Sequence, residues 1–420
     1  MRPLTLVAIS ALVITTALAP VNSAKSASVD TSATASSSAS AGWKDRPRYQ
    51  PRLPGGYKNL VVLFQENHSF DNLYGGWGRV GRQRVEGLPE ADRRHTIQRA
   101  QDGSRYRCLP QVDVNLTSPP LLVTCTDSRH DVSSAFRNRP FSIDDYIEPT
   151  DTTCPVPGAE QPNGTLNGQG LPGGCTRDLV HRFYQEKFQS NGGRQDRYVT
   201  GSDAVGLSMG HYDTTRLPIY RYLHSAGAPH YVIADRFFAG AHGGSFLNHQ
   251  WLIAGRAPVV DQSGNVPDPT KRPRNSVIDS NGMPTAYPQY EPTSSVLDGE
   301  LTVRCANPDR LVNYRRGCGN FAVNTVQPAS APYSPGGPFI PLINNARYPN
   351  IGDRLTAEGI SWNWYSGGWD DAEAGNPGPL FQYHHQPFNY FADYAPGTPG
   401  RSHLQDEENF FRAARTGNLP

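Results

Sequence analysis

The sequence predicts an α/β fold with a mainly parallel sheet, interrupted by loop-rich, cysteine-bearing insertions. Short apolar runs that suit strands buried on both faces alternate with segments of helical periodicity. The chain carries 41 glycines and 37 prolines, and many of them fall in two stretches without such periodicity, at about 79–175 and 257–340. Hydrophobic residues make up 37% and aromatics 10%, which excludes a disordered chain and leaves ample mass for a core.

Residues 1–24 read as a signal peptide. Arg2 gives a short positive start, and the apolar run Leu4 to Ala19 is long for a signal core but short of the roughly 20 residues of a membrane helix. Ala17-Leu18-Ala19 fits the small-x-small cleavage pattern but leaves Pro20 first; a cut near Ser23 or Ala24 fits equally, and an uncleaved anchor is the alternative. Residues 25–57 form a spacer and lead-in, Ser/Ala/Thr-rich over 25–42, and 58–420 form the folded domain. No second stretch could span a bilayer, so the expected location is secreted or periplasmic. Lys and Arg number 39 against 38 Asp and Glu, a net charge of +1, which removes the electrostatic case for nucleic acid or an anionic membrane as partner.

The apolar run Lys58 to Gln65 is predicted to be a strand leading straight into Glu66-Asn67-His68-Ser69-Phe70-Asp71. The insertion that follows carries four of the six cysteines. Leu179 to Phe188 has helical spacing, ended by Gly192-Gly193, and Asp213 to Ser225 reads as a second helix with Pro218 in or near its first turn. Tyr231 to Ala234 is the next predicted strand. Gly243-Gly244-Ser245 then forms a glycine turn with Ser245 at the N-cap of a helix running to Ala254. After the second insertion come a helix over Asn350–Glu358, a strand over Ile360–Tyr365 and a last helix over Asp406–Arg415, whose acids-first, bases-last order matches the helix dipole.

The cysteines form pairs close in sequence: Cys108 with Cys125, Cys154 with Cys175, Cys305 with Cys318. No C-x-x-C is present, which argues against zinc. Three local disulfides are the economical reading for an exported chain, each worth roughly 3 kcal/mol by the chain-entropy model.

The chemistry should gather beyond the carboxyl ends of the strands. Glu66 and Asn67 stand at such an end as two oxygen donors suited to a divalent cation, although a Glu-Asn pair also serves as a turn or cap. Asn67-His68-Ser69 is formally a glycosylation sequon as well. Ser245, at a helix start, can place a hydroxyl where N–H groups and the dipole favour negative charge; an ordinary capping serine is the alternative. Asn248 and His249 follow on the same helix face, His249 as a base, a phosphate contact or a packed core residue. His384-His385, in an aromatic loop, suit hydrogen bonds to phosphate oxygens or protonation of a leaving group, or stand as a surface pair. Leu247 breaks the G-x-S-x-G pattern, which weakens a serine carboxylesterase reading.

Six stretches carry a resemblance: NLVVLFQENHSFDNLYGG (59–76), LVHRFYQEKFQSNGGRQDRY (179–198), SMGHYD (208–213), DRFFAGAHGGSFLNHQWLIAG (235–255), YPNIGDRLTAEGISWNWYSGGW (348–369) and HHQPFNYFADYAPGTPGRSHLQD (384–406). In this order they resemble the bacterial phosphoesterase family of secreted acid phosphatases and phospholipases C, relatives of alkaline phosphatase. The resemblance implies an alkaline-phosphatase-like three-layer sandwich that hydrolyses phosphoric esters of a small phosphomonoester or a phospholipid headgroup. It implies Glu66, Asn67 and Ser245 at a catalytic divalent metal ion, with Ser245 the nucleophile. Asn248, His384 and His385 would contact the phosphoryl group, with His181 as their neighbour. It further implies that family members continue beyond the position of Pro420 with residues that complete the metal site. On that basis the chain is expected to be truncated and to carry part of the metal shell. A phosphate-binding exported protein without catalysis is the alternative from a different class.

Overall fold

The computed structural model describes residues 58–66, 68–110, 122–145, 179–259, 277–294, 299, 302, 321–334, 339–378 and 381–420, and the backbone alone of 154–160 and 166–171. The signal peptide, the spacer, Asn67 and the pairings Cys154–Cys175 and Cys305–Cys318 lie outside the residues whose side chains are described. The described helices are α1 (Phe70–Tyr74), α2 (Arg93–Thr96), α3 (Phe183–Ser190), α4 (Pro218–Leu223), α5 (Ser245–Ala254), α6 (Ile351–Ala357), α7 (Trp369–Glu373) and α8 (Glu407–Thr416). They combine with short two-stranded ladders into a mixed α/β architecture.

Parallel ladders join Trp364–Ser366 to Leu404–Asp406, Phe141–Ser142 to Gly210–His211, and Gln327–Pro328 to Phe339–Ile340. Among the described residues these ladders are no longer than three residue pairs, so they draw neither an extended parallel sheet nor three layers. Lys58–Gln65 and Tyr231–Ala234 are not in strands. Leu60 is 72% exposed and Val62 63%, the reverse of a strand buried on both faces. An apolar run states what a strand would bury, but the ladder partner has to come from elsewhere. Among the described residues none pairs with either segment.

Helix ends differ from the predicted ones for local reasons. The N–H of Val180 donates to Asp203 and that of Phe183 to Asn324. Arg182 is extended, so α3 begins at Phe183 rather than Leu179. Asn191, in the left-handed region, caps its other end before the two glycines. Asp213 caps a short 3-10 turn, Thr214–Arg216, and Leu217 is extended because it precedes proline; Pro218 then opens α4 as a separate helix. Asn350 and Asp353 form a capping box on α6, and α8 begins one residue later than predicted because Asp406 serves as its cap, ahead of the two acids of its first turn.

The main core gathers Phe246, Leu247 and Ile253 of α5 with Tyr184, Val323, Val326, Trp362, Trp369, Phe388, Tyr390 and Phe391. Each buried side chain of this size contributes roughly 1.5–3 kcal/mol, so α5 is fixed by its packing rather than by its glycine-rich start. The first insertion packs Tyr106, Leu109 and Phe136 against Val199 and Val205 of the segment that follows α3, forming a smaller core. It is stapled by the Cys108–Cys125 disulfide, as predicted, with Cα atoms 5.8 Å apart.

Candidate active site

The site is built around the turn that opens α5. Gly243 sits at φ +132°, and a Cβ there would lie 3.0 Å from Cδ2 of Leu247. At Gly244 a Cβ would lie 2.9 Å from the carbonyl oxygen of His181. The glycine pair therefore lets the backbone pass between Leu247 and His181. Gly244 is the N-cap, with φ −76° and ψ −167°, and Ser245 is the first helical residue. The capping role predicted for Ser245 thus falls one position earlier, because a cap needs extended backbone and Ser245 is already helical. Its hydroxyl is left for another partner and lies close enough to Glu66 to help hold that carboxyl's pKa down.

Glu66 reaches two imidazoles as well. Its Oε1 lies 3.1 Å from Nδ1 of His249 and its Oε2 3.1 Å from Nε2 of His385. Burial alone would raise the carboxyl pKa, but these contacts and the serine hydroxyl outweigh it and hold Glu66 well below the usual carboxylate range. His249 Nδ1 is closer to the carbonyl oxygen of Ser245, at 2.7 Å. Its contact with Glu66 is therefore one of charge rather than an aligned hydrogen bond, and Oε1 is buried without a hydrogen-bond donor. The His249 and His385 rings stack with centroids 5.2 Å apart, walled by Phe64 at 5.1 Å and Trp364 at 5.9 Å from the His249 ring.

His384 and His385 belong to a 3-10 turn, Tyr383–His385, steadied where Trp364 Nε1 donates to the His385 carbonyl at 3.3 Å. His384 is buried and pushed down to about 3, by burial first and then by the charges of His385 and His249. It is a neutral imidazole near pH 7. His181 lies against Gly244, its Nδ1 2.7 Å from the carbonyl oxygen of Leu179, and it shares the electrostatic environment of His384. Asn248 turns Nδ2 to the carbonyl of Gly243 at 2.5 Å, leaving Oδ1 buried without a partner.

Residues from four separate stretches, 66, 181, 245–249 and 384–385, thus converge, and they are the candidates that the motifs single out. Residues 57–420 match the model of the phosphoesterase family. The chain belongs to the phosphoesterase family. No curated protein matches it. Membership places this phosphoesterase among hydrolases of phosphoric esters.

The donor set bears on a metal. Glu66 Oε1 and Asn248 Oδ1 are hard, buried oxygens that accept no hydrogen bond from the protein, which suits a divalent cation and is costly otherwise. Among the described residues no group of three or more His, Cys, Asp and Glu is arranged to hold a metal. Glu66 and Asn248 could thus offer two oxygen donors to a cation, and among the described residues no larger cluster accompanies them. Sequence reasoning missed Glu186 of α3, whose Oε2 accepts the N–H of Gly243 at 2.7 Å. Within QEKF it reads as a solvated helix face, and only the fold shows it turned toward the turn at Ser245.

Proposed function

We propose that this phosphoesterase is an exported hydrolase of the acid phosphatase or phospholipase C type, with Ser245 as nucleophile and Glu66, with Asn67, holding a divalent cation. The observation that carries this reading is the Glu66 carboxylate 3.1 Å from both His249 and His385, with Ser245 at the positive end of α5 near enough to help lower its pKa. Glu66 is held too far below neutrality to serve as a base, whereas a persistent anion is what a metal ligand must be. A cation bound there supplies Lewis-acid charge against the phosphoryl oxygens and lowers the pKa of the serine hydroxyl.

Ser245 Oγ attacks phosphorus, the bond to the leaving oxygen breaks, and the resulting phosphoserine is hydrolysed by water. The first N–H groups of α5 face the developing negative charge. His384, neutral, donates a single N–H to a phosphoryl oxygen, and His385 with His181 lines the same pocket. A serine carboxylesterase is disfavoured by Leu247, which breaks the G-x-S-x-G elbow that would present Ser245 as an acyl nucleophile. The longer GGSFLNHQWLIAG and HHQPFNYF segments favour the acid-phosphatase-like branch and a small phosphomonoester over a phospholipid headgroup.

The test compares p-nitrophenyl phosphate with p-nitrophenylphosphorylcholine, each with and without EDTA. Turnover of the monoester that chelation removes supports the reading. Phosphate binding without turnover at saturating metal supports a non-catalytic binding protein, and ester hydrolysis that survives chelation sinks the metal-assisted route.

A further inference from the structure

The Gly243 peptide is gripped from both sides. Its N–H donates to Oε2 of Glu186 at 2.7 Å, and its carbonyl accepts from Nδ2 of Asn248 at 2.5 Å. Glu186 comes from α3 and Asn248 from α5, so the turn that opens the serine's helix is held between two helices.

The turn needs such a hold. Gly243 and Gly244 have no side chains of their own to lock it, and glycine loses more freedom on ordering than any other residue. Gly244 provides no side-chain cap for α5. Glu186 is half-buried, and its desolvation pushes the carboxyl pKa up, opposed by the Gly243 N–H and the nearby His181. Placing a carboxylate there is unfavourable unless it accepts a hydrogen bond that matters. Its charge also lies near the N-terminal end of α5, where the dipole favours it.

We propose that Glu186 is a positioning residue: it fixes the Gly243–Gly244 turn and so sets the aim of the Ser245 hydroxyl. It acts through the Gly243 amide and not through substrate. Its consequence for turnover rests on the phosphoester reading above, whereas its consequence for local order rests on the turn alone.

The experiment uses the full chain as wild type, Glu186→Ala and Glu186→Gln. It measures kcat and KM with p-nitrophenyl phosphate, and amide hydrogen exchange over residues 241–247. Glutamine keeps an oxygen that accepts the same N–H; alanine does not. In Glu186→Ala, kcat is expected to fall at least about tenfold with KM within about twofold, since a misaimed nucleophile loses transition-state contact before binding. Exchange at 241–247 should rise at least about tenfold while the core around Tyr106 and Phe136 stays protected. Glu186→Gln should remain within about threefold of wild type in kcat and keep the protection. An unchanged kcat in Glu186→Ala, a glutamine variant as impaired as alanine, unchanged exchange at 241–247, or faster exchange everywhere would each overturn the proposal. A wild type without turnover sinks the phosphoester reading alone, and the exchange comparison still decides whether Glu186 holds the turn.

Discussion

Nε2 of His385 lies 3.1 Å from Oε2 of Glu66, which ties the end of the first apolar run to a turn near the far end of the chain. The same carboxylate meets His249 and the Ser245 hydroxyl. One half-buried anion therefore joins groups from three separate segments, its own included, and its lowered pKa keeps it ionised wherever the fold is intact.

Ser245→Ala should lower turnover of an aryl phosphate by at least about 10³-fold while far-UV circular dichroism is unchanged. The hydroxyl packs against no core residue in a way that alanine would disturb, because Phe246 and Leu247 carry the helix's burial. Steady-state kinetics with p-nitrophenyl phosphate checks this, and an unchanged kcat ends the nucleophile assignment.

Glu66→Gln keeps the shape of the side chain and removes its charge. Metal content and turnover should fall together, because a neutral amide is a weaker ligand for a hard divalent cation than a carboxylate. Elemental analysis of the purified variant beside its kinetics checks this. Chelation of the wild type should reproduce the kinetic loss, and normal metal loading in the variant would contradict the assignment.

These two residues were legible before any fold was known, and for different reasons. Glu66 and Asn67 end an apolar run, and Ser245 follows a glycine pair, so each stands out locally. His384 and His385 are conspicuous as a pair. What the sequence could not show is which of these meet. The contacts of Glu66 with His249 and His385 are long-range, and periodicity carries no information about them. Glu186 was invisible for a related reason: a charged residue at helical spacing reads as solvated, and its contact with the Gly243 N–H is set by the tertiary fold. The strand predicted for 58–65 fails by the same logic, since its composition specifies burial but not the partner that would provide it.

Gly243→Ala tests the turn from the backbone side. At φ +132° an L-residue is strained, and its Cβ would press on Cδ2 of Leu247. The variant should lose about 1–3 kcal/mol of stability and at least about tenfold in kcat. Gly255→Ala is the control: φ is +66° there, with nothing within 4 Å of the added carbon. It should cost about 1–2 kcal/mol and leave kcat within about twofold. Urea unfolding and kinetics on both variants measure the contrast, and equal kcat values in the two would show that the turn does not govern the serine.

A pH dependence of stability follows from Asp279 and Tyr290, away from the catalytic groups. The buried carboxylate of Asp279 accepts the Tyr290 hydroxyl and the N–H groups of Asn281 at 2.8 Å and Met283 at 3.0 Å. Burial alone would raise its pKa, but these donors outweigh it and hold the carboxyl below its ordinary value. Tyr290 moves the other way, raised by burial and then by the carboxylate it faces. On the acid side, the unfolded chain takes up a proton near pH ~3.9 while the native carboxylate resists, so stability falls as pH drops through that window. On the alkaline side, the unfolded tyrosine ionises near pH ~10 while the native one keeps its proton, so stability falls as pH rises. Between them this pair contributes a plateau. Asp279→Asn should cost about 1–3 kcal/mol on that plateau, because Tyr290 and two amides lose a charged acceptor. The deficit should shrink at about pH 3, where the unfolded wild-type chain has taken up the proton that the native carboxylate resists. Tyr290→Phe should flatten the alkaline limb and keep part of the acid one, since the two amides still hold Asp279. Urea midpoints from about pH 3 to about pH 11 measure both limbs, and a deficit for Asp279→Asn as large at pH ~3 as at pH ~7 would show that ionisation of this carboxylate is not what stabilises the loop.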